Sequence, residues 1–156
     1  MPVKEMQYAV SVRWRGGRLA HADADGKASL ELATPPAFRG GLTGYWSPEE
    51  LLVAATASCF ALTLAAVADR SDAPLLDATV SATGHMSRRD DGRFGFTVIE
   101  IDAVLETVAG GEDAVAGAAA EAEDRCLVSQ SLDVPVHVTV QVKTVAGNPR
   151  AAEVSR

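Results

Sequence analysis

Residues 46–70 read WSPEELLVAATASCFALTLAAVADR, and this stretch decides what kind of fold the chain can adopt. Ser47, Pro48 and Glu50 predict a sharply defined helix start. A serine N-cap is followed by a proline whose missing N–H would be unsatisfied there anyway, and a glutamate three residues on can bond back to the cap. Glu49 and Glu50 also suit the positive end of the helix dipole. From Leu51 to Ala68, 18 residues then pass without a charge, close to the lower limit for a membrane span. Seven of them are alanines, three are Ser or Thr, and no second such segment follows, so the reading is a buried helix of a soluble protein. A helix apolar on every side has to be covered on every side. One small sheet cannot do that, so a second subunit is expected to cover the rest.

On the N-terminal side, Tyr8, Val10, Val12 and Trp14 alternate with polar residues and predict a half-buried strand over 7–14, turned at Gly16-Gly17. Strands at 18–22 and 27–33, joined through Asp25-Gly26, complete a three-stranded meander. Residues 34–47 hold two prolines and three glycines and read as an irregular loop. On the C-terminal side, 75–88 and 93–107 form a strand pair reversing at Asp91-Gly92, and 112–126 form an alanine- and glutamate-rich helix. Val134, Val136, Val138, Val140 and Val142 then mark a strand of strict period two. The predicted order is βββ-α-ββ-α-β, an α+β fold. It forms a single domain over residues 1–145, with 146–156 a flexible tail.

At 47% hydrophobic and 22% charged residues, the chain has the composition of an ordinary globular domain. Its net charge of −7, with no basic stripe, excludes nucleic acid and anionic membranes as natural partners. The opening MPVKEMQYAV lacks the apolar run and cleavage site of a signal peptide, so the expected location is the cytoplasm, where thiols stay reduced. Two cysteines, Cys59 and Cys126, with three scattered histidines do not make a zinc site or a disulfide scaffold. No metal or organic cofactor is expected, and redox chemistry is the remaining use for the thiols.

Cys59 poses an electrostatic problem. A thiol acts as its thiolate, and burial among alanines and leucines favours the neutral form. Twelve residues past the cap, Cys59 lies beyond the reach of the helix dipole. A reactive Cys59 therefore calls for an imported cation, and Arg39 (in PAFRGG) or Arg18 (in WRGGRL), each beside glycines, can supply one. A guanidinium held in an apolar pocket needs an acid in turn, and Glu49 is the candidate. On a straight helix, ten residues separate Glu49 from Cys59 by roughly 15 Å of rise and about 280° of rotation, too far to share a site within one chain. The expected arrangement pairs two chains, one subunit's Glu49 serving the other's Cys59.

SPEELLVAATASCF together with AEDRCLVSQSL resembles the family of osmotically inducible protein C and organic hydroperoxide resistance proteins (OsmC/Ohr). VRWRGGRLAHADADGKASLELATP is similar to the family's opening meander, so the resemblance spans most of the chain. It implies an intertwined homodimer whose central apolar helices pack against β-sheets. It also implies a peroxidase that reduces organic hydroperoxides to alcohols. Cys59 takes the position of the attacking cysteine, which becomes a sulfenic acid, and Cys126 that of the cysteine closing a disulfide with it. Glu49 takes the position of the acid that holds the activating arginine. That arginine corresponds to Arg39 by its spacing from Glu49, or to Arg18 by its GGR context, with Arg39 ranked first. An external dithiol, lipoyl-type in the family, is implied as reductant. The chain departs from the family where Leu127 replaces the proline that usually follows the second cysteine. Phe38, Tyr45, Trp46 and Phe60 are candidates to line a substrate pocket or to be plain core.

The rival reading is a non-catalytic dimeric module that binds an apolar ligand or senses oxidation. A thiol hydrolase or acyl carrier would want a histidine base, and His21, His85 and His137 fall in strands or turns instead.

Overall fold

The structure is a computed structural model that describes residues 4–146; the expected flexible tail, apart from its first residue, lies outside the described residues. The chain divides into two compact units, Met1–Leu51 and Leu52–Arg156.

The first unit is the predicted meander: β1 (Ser11–Gly16), β2 (Leu19–Asp23) and β3 (Leu30–Ala33), antiparallel in that spatial order. β1 begins at Ser11, later than expected, because its pairing with β2 ends at Ser11↔Asp23 and earlier residues find no ladder partner. The apolar face predicted to be half-buried is open, with Trp14 73% and Tyr8 88% exposed, because no second layer within the unit covers it. The glycine-rich stretch after β3 is an irregular loop, as predicted. Its end is fastened where Ala33 N–H donates to Trp46 O at 2.9 Å and Leu42 N–H to Thr34 O at 3.0 Å. Gly41 is obligatory here, since a Cβ would sit 1.9 Å from the carbonyl oxygen of Pro35.

The loop ends in the predicted capping box. Ser47 N–H donates to Glu50 Oε2 at 2.8 Å, and Glu50 N–H donates to Ser47 Oγ at 3.1 Å. From this cap α1 (Pro48–Arg70) runs for 23 residues. By length and composition it is long and apolar enough to cross a membrane. Among the described residues α1 buries one stripe, carried by Thr56, Phe60, Leu64, Val67 and Ala68, while Leu62 on another side is 71% exposed. Among the described residues one layer packs on α1, and burial on all its faces is not found.

That layer is the second unit's sheet: β4 (Leu75–Arg88), β5 (Phe94–Thr107) and β6 (Val136–Thr144), in spatial order β4-β5-β6. β4 and β5 form the predicted antiparallel pair. β6 runs parallel to β5, from Ile99↔Val136 to Thr107↔Thr144, and so needs a crossover between them. That crossover is α2 (Glu112–Arg125) followed by a five-residue turn of helix, α3 (Leu127–Ser131), which the sequence reading did not anticipate. Ile101, Ala103 and Leu105 of β5 point inward to meet Phe60, Leu64 and Val67 of α1 and the alanine face of α2. Glu100 and Asp102 alternate to the exposed side. α1 comes so close to the sheet that a Cβ on Gly84 would lie 2.7 Å from Val53 Cγ2 and 2.5 Å from the Phe96 ring.

Candidate functional site

Cys59 sits on α1 at the edge of the buried stripe, half-buried, and packs against the core cluster that contains the fully buried Cys126. Cys126 closes α2 and opens α3 at once. Its extended backbone (φ −68°, ψ 102°) breaks the helix between Arg125 and Leu127. The break leaves the N–H groups of the first α3 residues without partners one turn back.

Burial is the largest single influence on the Cys59 thiol and pushes it up. Against it stand hydrogen bonds from the backbone N–H of Val128, the thiol of Cys126, the hydroxyl of Thr63 and the backbone N–H of Leu127. Together these outweigh burial and hold Cys59 below the ordinary thiol value. Hydrogen bonding within the second unit thus lowers the Cys59 pKa alongside any contribution from an arginine. Those donors escaped sequence reading because a backbone N–H has no residue signature. The break at Cys126 that aims them follows from no propensity pattern.

Leu127 acquires a meaning here. A proline at this position has no N–H, so a leucine adds one donor to Cys59. Leu127→Pro deletes that donor almost alone, since the Leu127 side chain is 69% exposed, proline suits a first helical position and Cys126 is already extended. Less hydrogen bonding to the anion raises the Cys59 pKa, so less thiolate is present at any pH below it. The expected result is alkylation of Cys59 by iodoacetamide roughly fivefold slower at neutral pH, with its pH midpoint moved up. An unmoved midpoint would remove Leu127 N–H from the site.

Of the five residues singled out in the sequence, the structure brings Cys59 and Cys126 together in the second unit. Arg18, Arg39 and Glu49 belong to the first. Glu49 Oε2 is buried and has no hydrogen-bond partner among the described residues. Arg39 is exposed on the loop. The Arg18 side chain lies against Gly40, whose Cβ would come within 3.4 Å of Arg18 Nε, and lines a cavity of about 580 Å³ with Val12, Trp14, Leu32 and Leu51. Phe38, Tyr45 and Trp46 do not line that cavity and are exposed, whereas Phe60 is core. Two of the three histidines are engaged elsewhere: His21 Nε2 lies 3.3 Å from Asp23 and Nδ1 contacts Glu31, while His85 Nε2 lies 2.8 Å from Glu100.

Comparison with known proteins places this arrangement. The family described as OsmC-like protein matches residues 40–141. The chain belongs to the OsmC-like family. Among solved structures, an OsmC-like protein of unknown function from Vibrio cholerae superposes with a TM-score of 0.80 at 17% identity, covering 88% of this chain and all of that one. An organic hydroperoxide resistance protein OsmC from Legionella pneumophila gives a TM-score of 0.69 at 25% identity, covering 90% of this chain and all of that one. The organic hydroperoxide resistance protein OhrB of Bacillus subtilis gives 0.62 at 25% identity, covering 88% and 98%. No curated protein matches the chain in sequence. The α+β architecture and its βββ-α-ββ-α-β order are those of OsmC/Ohr structures.

Proposed function

We propose that the protein is a cysteine-based, thiol-dependent peroxidase that reduces organic hydroperoxides to alcohols and so confers peroxide resistance. The observation that carries this reading is the pairing of Cys59 on α1 with the buried Cys126 at the α2–α3 break, two free thiols in one core cluster. Family membership supports it, as do the names of the Legionella and Bacillus relatives.

In this reading the Cys59 thiolate attacks the outer peroxide oxygen, the O–O bond breaks, and the alkoxide takes a proton and leaves as alcohol. Cys59 is left as a sulfenic acid. The Cys126 sulfur attacks it, water leaves, and a Cys59–Cys126 disulfide forms. An external dithiol of lipoyl type, itself oxidised to a disulfide, returns both thiols. Arg39 or Arg18 polarises thiolate and peroxide, and Glu49, whose buried Oε2 lacks a partner, holds that arginine. The working form is a cytoplasmic homodimer in which a second copy covers the open faces of α1, with no nucleic acid, membrane or cofactor involved.

The test is to expose the reduced protein to cumene hydroperoxide, tert-butyl hydroperoxide and hydrogen peroxide, and to follow thiol loss and Cys59–Cys126 bridging by mass spectrometry. Bridging is expected to be severalfold faster with the two organic peroxides. Its rate should rise with pH as Cys59 ionises and level off below the ordinary thiol range, because the hydrogen bonds lower that pKa. Slow, equal oxidation by all three favours the second reading, a non-catalytic module that binds an apolar ligand or senses oxidation, for which the largely apolar cavity beside Arg18 is the supporting observation.

A further inference from the structure

Building on the proposed disulfide, we infer that the external thiol attacks the Sγ of Cys126, not that of Cys59, and reaches it through a separate small cleft behind the cysteine pair. The cleft has a volume of about 150 Å³ and lies where α1, α2, α3 and β6 meet. Phe60, Glu123, Cys126, Ser129, Gln130 and Val138 line it, and Cys59 does not. Cys126 thus borders this opening and Cys59 does not.

The chemistry favours the same sulfur. In thiol–disulfide exchange the sulfur that departs fastest is the one whose thiolate is best stabilised. If Cys126 is attacked, Cys59 departs. Once the disulfide has consumed the Cys126 proton, Cys59 still has three donors waiting, the N–H groups of Val128 and Leu127 and the Thr63 hydroxyl. Cys126 has one, the Ser129 hydroxyl at 3.2 Å from its Sγ. Attack on Cys59 would forgo the Val128, Thr63 and Leu127 donors that lower the Cys59 pKa.

The sequence of bonds is then fixed. An external thiolate forms a bond to Cys126 Sγ, the Cys59–Cys126 bond breaks, and its electron pair goes to Cys59 as thiolate. The second thiol of the dithiol, as thiolate, attacks the external sulfur of this mixed disulfide and expels Cys126 as a thiolate, which Ser129 supports until it takes a proton from water. The dithiol leaves as a cyclic disulfide and the protein holds two thiols. Glu123 at the cleft disfavours reductants carrying further negative charge, so the better entrant is one whose only charge is the attacking thiolate, its proton having gone to water.

A monothiol stops the sequence at the mixed disulfide and makes it readable. The protein is bridged in parallel with cumene hydroperoxide and with diamide, which oxidises thiols without any peroxidase activity. It is then pulsed with 2-mercaptoethanol, quenched in acid, alkylated and peptide-mapped. The expected adduct is on Cys126, with alkylated Cys59, in at least about tenfold excess over the reverse pattern at the earliest time. An adduct equally or mainly on Cys59 overturns the inference, and so does failure of diamide to bridge the pair. Bridging by diamide alone, followed by the Cys126 adduct, upholds the route while rejecting the peroxidase reading. Should the adduct decay too fast to map, Gln130→Trp decides: obstructing the cleft is expected to slow reduction of the bridge by 2-mercaptoethanol at least about fivefold, and an unchanged rate overturns the inference.

Discussion

Cys59→Ser is expected to abolish turnover of organic hydroperoxides, lowering the rate at least ~1,000-fold. A serine hydroxyl at this position meets the same donors, but its pKa lies so far above that of a thiol that those hydrogen bonds cannot make it an alkoxide near neutral pH, and its oxygen is a poor nucleophile toward peroxide. The loss should not come from unfolding, because Cys59 is only half-buried at the rim of the core and the exchange is nearly isosteric. Cys126→Ser separates the two steps. Its first turnover should still consume one equivalent of peroxide, leaving a sulfenic acid on Cys59 that dimedone traps, while repeated turnover with a dithiol stops. Peroxide consumption followed in a stopped-flow instrument, with circular dichroism as a control on folding, measures both. Turnover retained by Cys59→Ser would sink the assignment of that sulfur as the reacting atom.

The parts of this fold that the sequence displays are those in which each residue acts locally. The capping box at Ser47 and Glu50, the reversal near Asp91-Gly92 and the alternation of β6 each rest on a few neighbours, and each is found within a residue or two of where the pattern puts it. β6 starts at Val136 and not at Val134, since Pro135 has no N–H to give the ladder and serves it only as an acceptor, from Ile99 N–H at 3.0 Å. Features that depend on what lies across space were hidden. The apolar side of β1 was predicted to be half-buried because its pattern says that something should cover it, yet a pattern cannot say whether the cover belongs to the same chain. LVSQS, at 127–131, is too short to show a helical period, so α3 and the amides it aims at Cys59 were invisible. The cysteine pair was legible as residue types and spacing. The means of favouring the Cys59 thiolate was only half legible, because charged side chains are visible in a sequence and backbone donors are not.

A mixture of two inactive proteins, Cys59→Ser and Glu49→Ala, is expected to recover about one quarter of wild-type activity once their subunits exchange. α1 carries both residues ten positions apart and hence roughly 15 Å along the helix axis. Glu49 Oε2 is a buried carboxylate oxygen with no partner among the described residues, which is costly to leave so and calls for a donor from elsewhere. Among the described residues one stripe of α1 is covered, so a second α1 laid against the open side would bury apolar surface on both copies in a two-fold arrangement. In such a dimer, each Cys59 is served by the Glu49 of the other chain and the arginine that it holds. Random exchange makes about half of the dimers mixed, and each mixed dimer contains one site with an intact cysteine and an intact glutamate, which gives the quarter. If cysteine and glutamate instead served one another within a chain, no mixed dimer would contain a complete site. Native mass spectrometry that proves exchange, together with activity that stays at the level of the separate variants, would therefore reject the shared site while leaving Cys59 as the nucleophile.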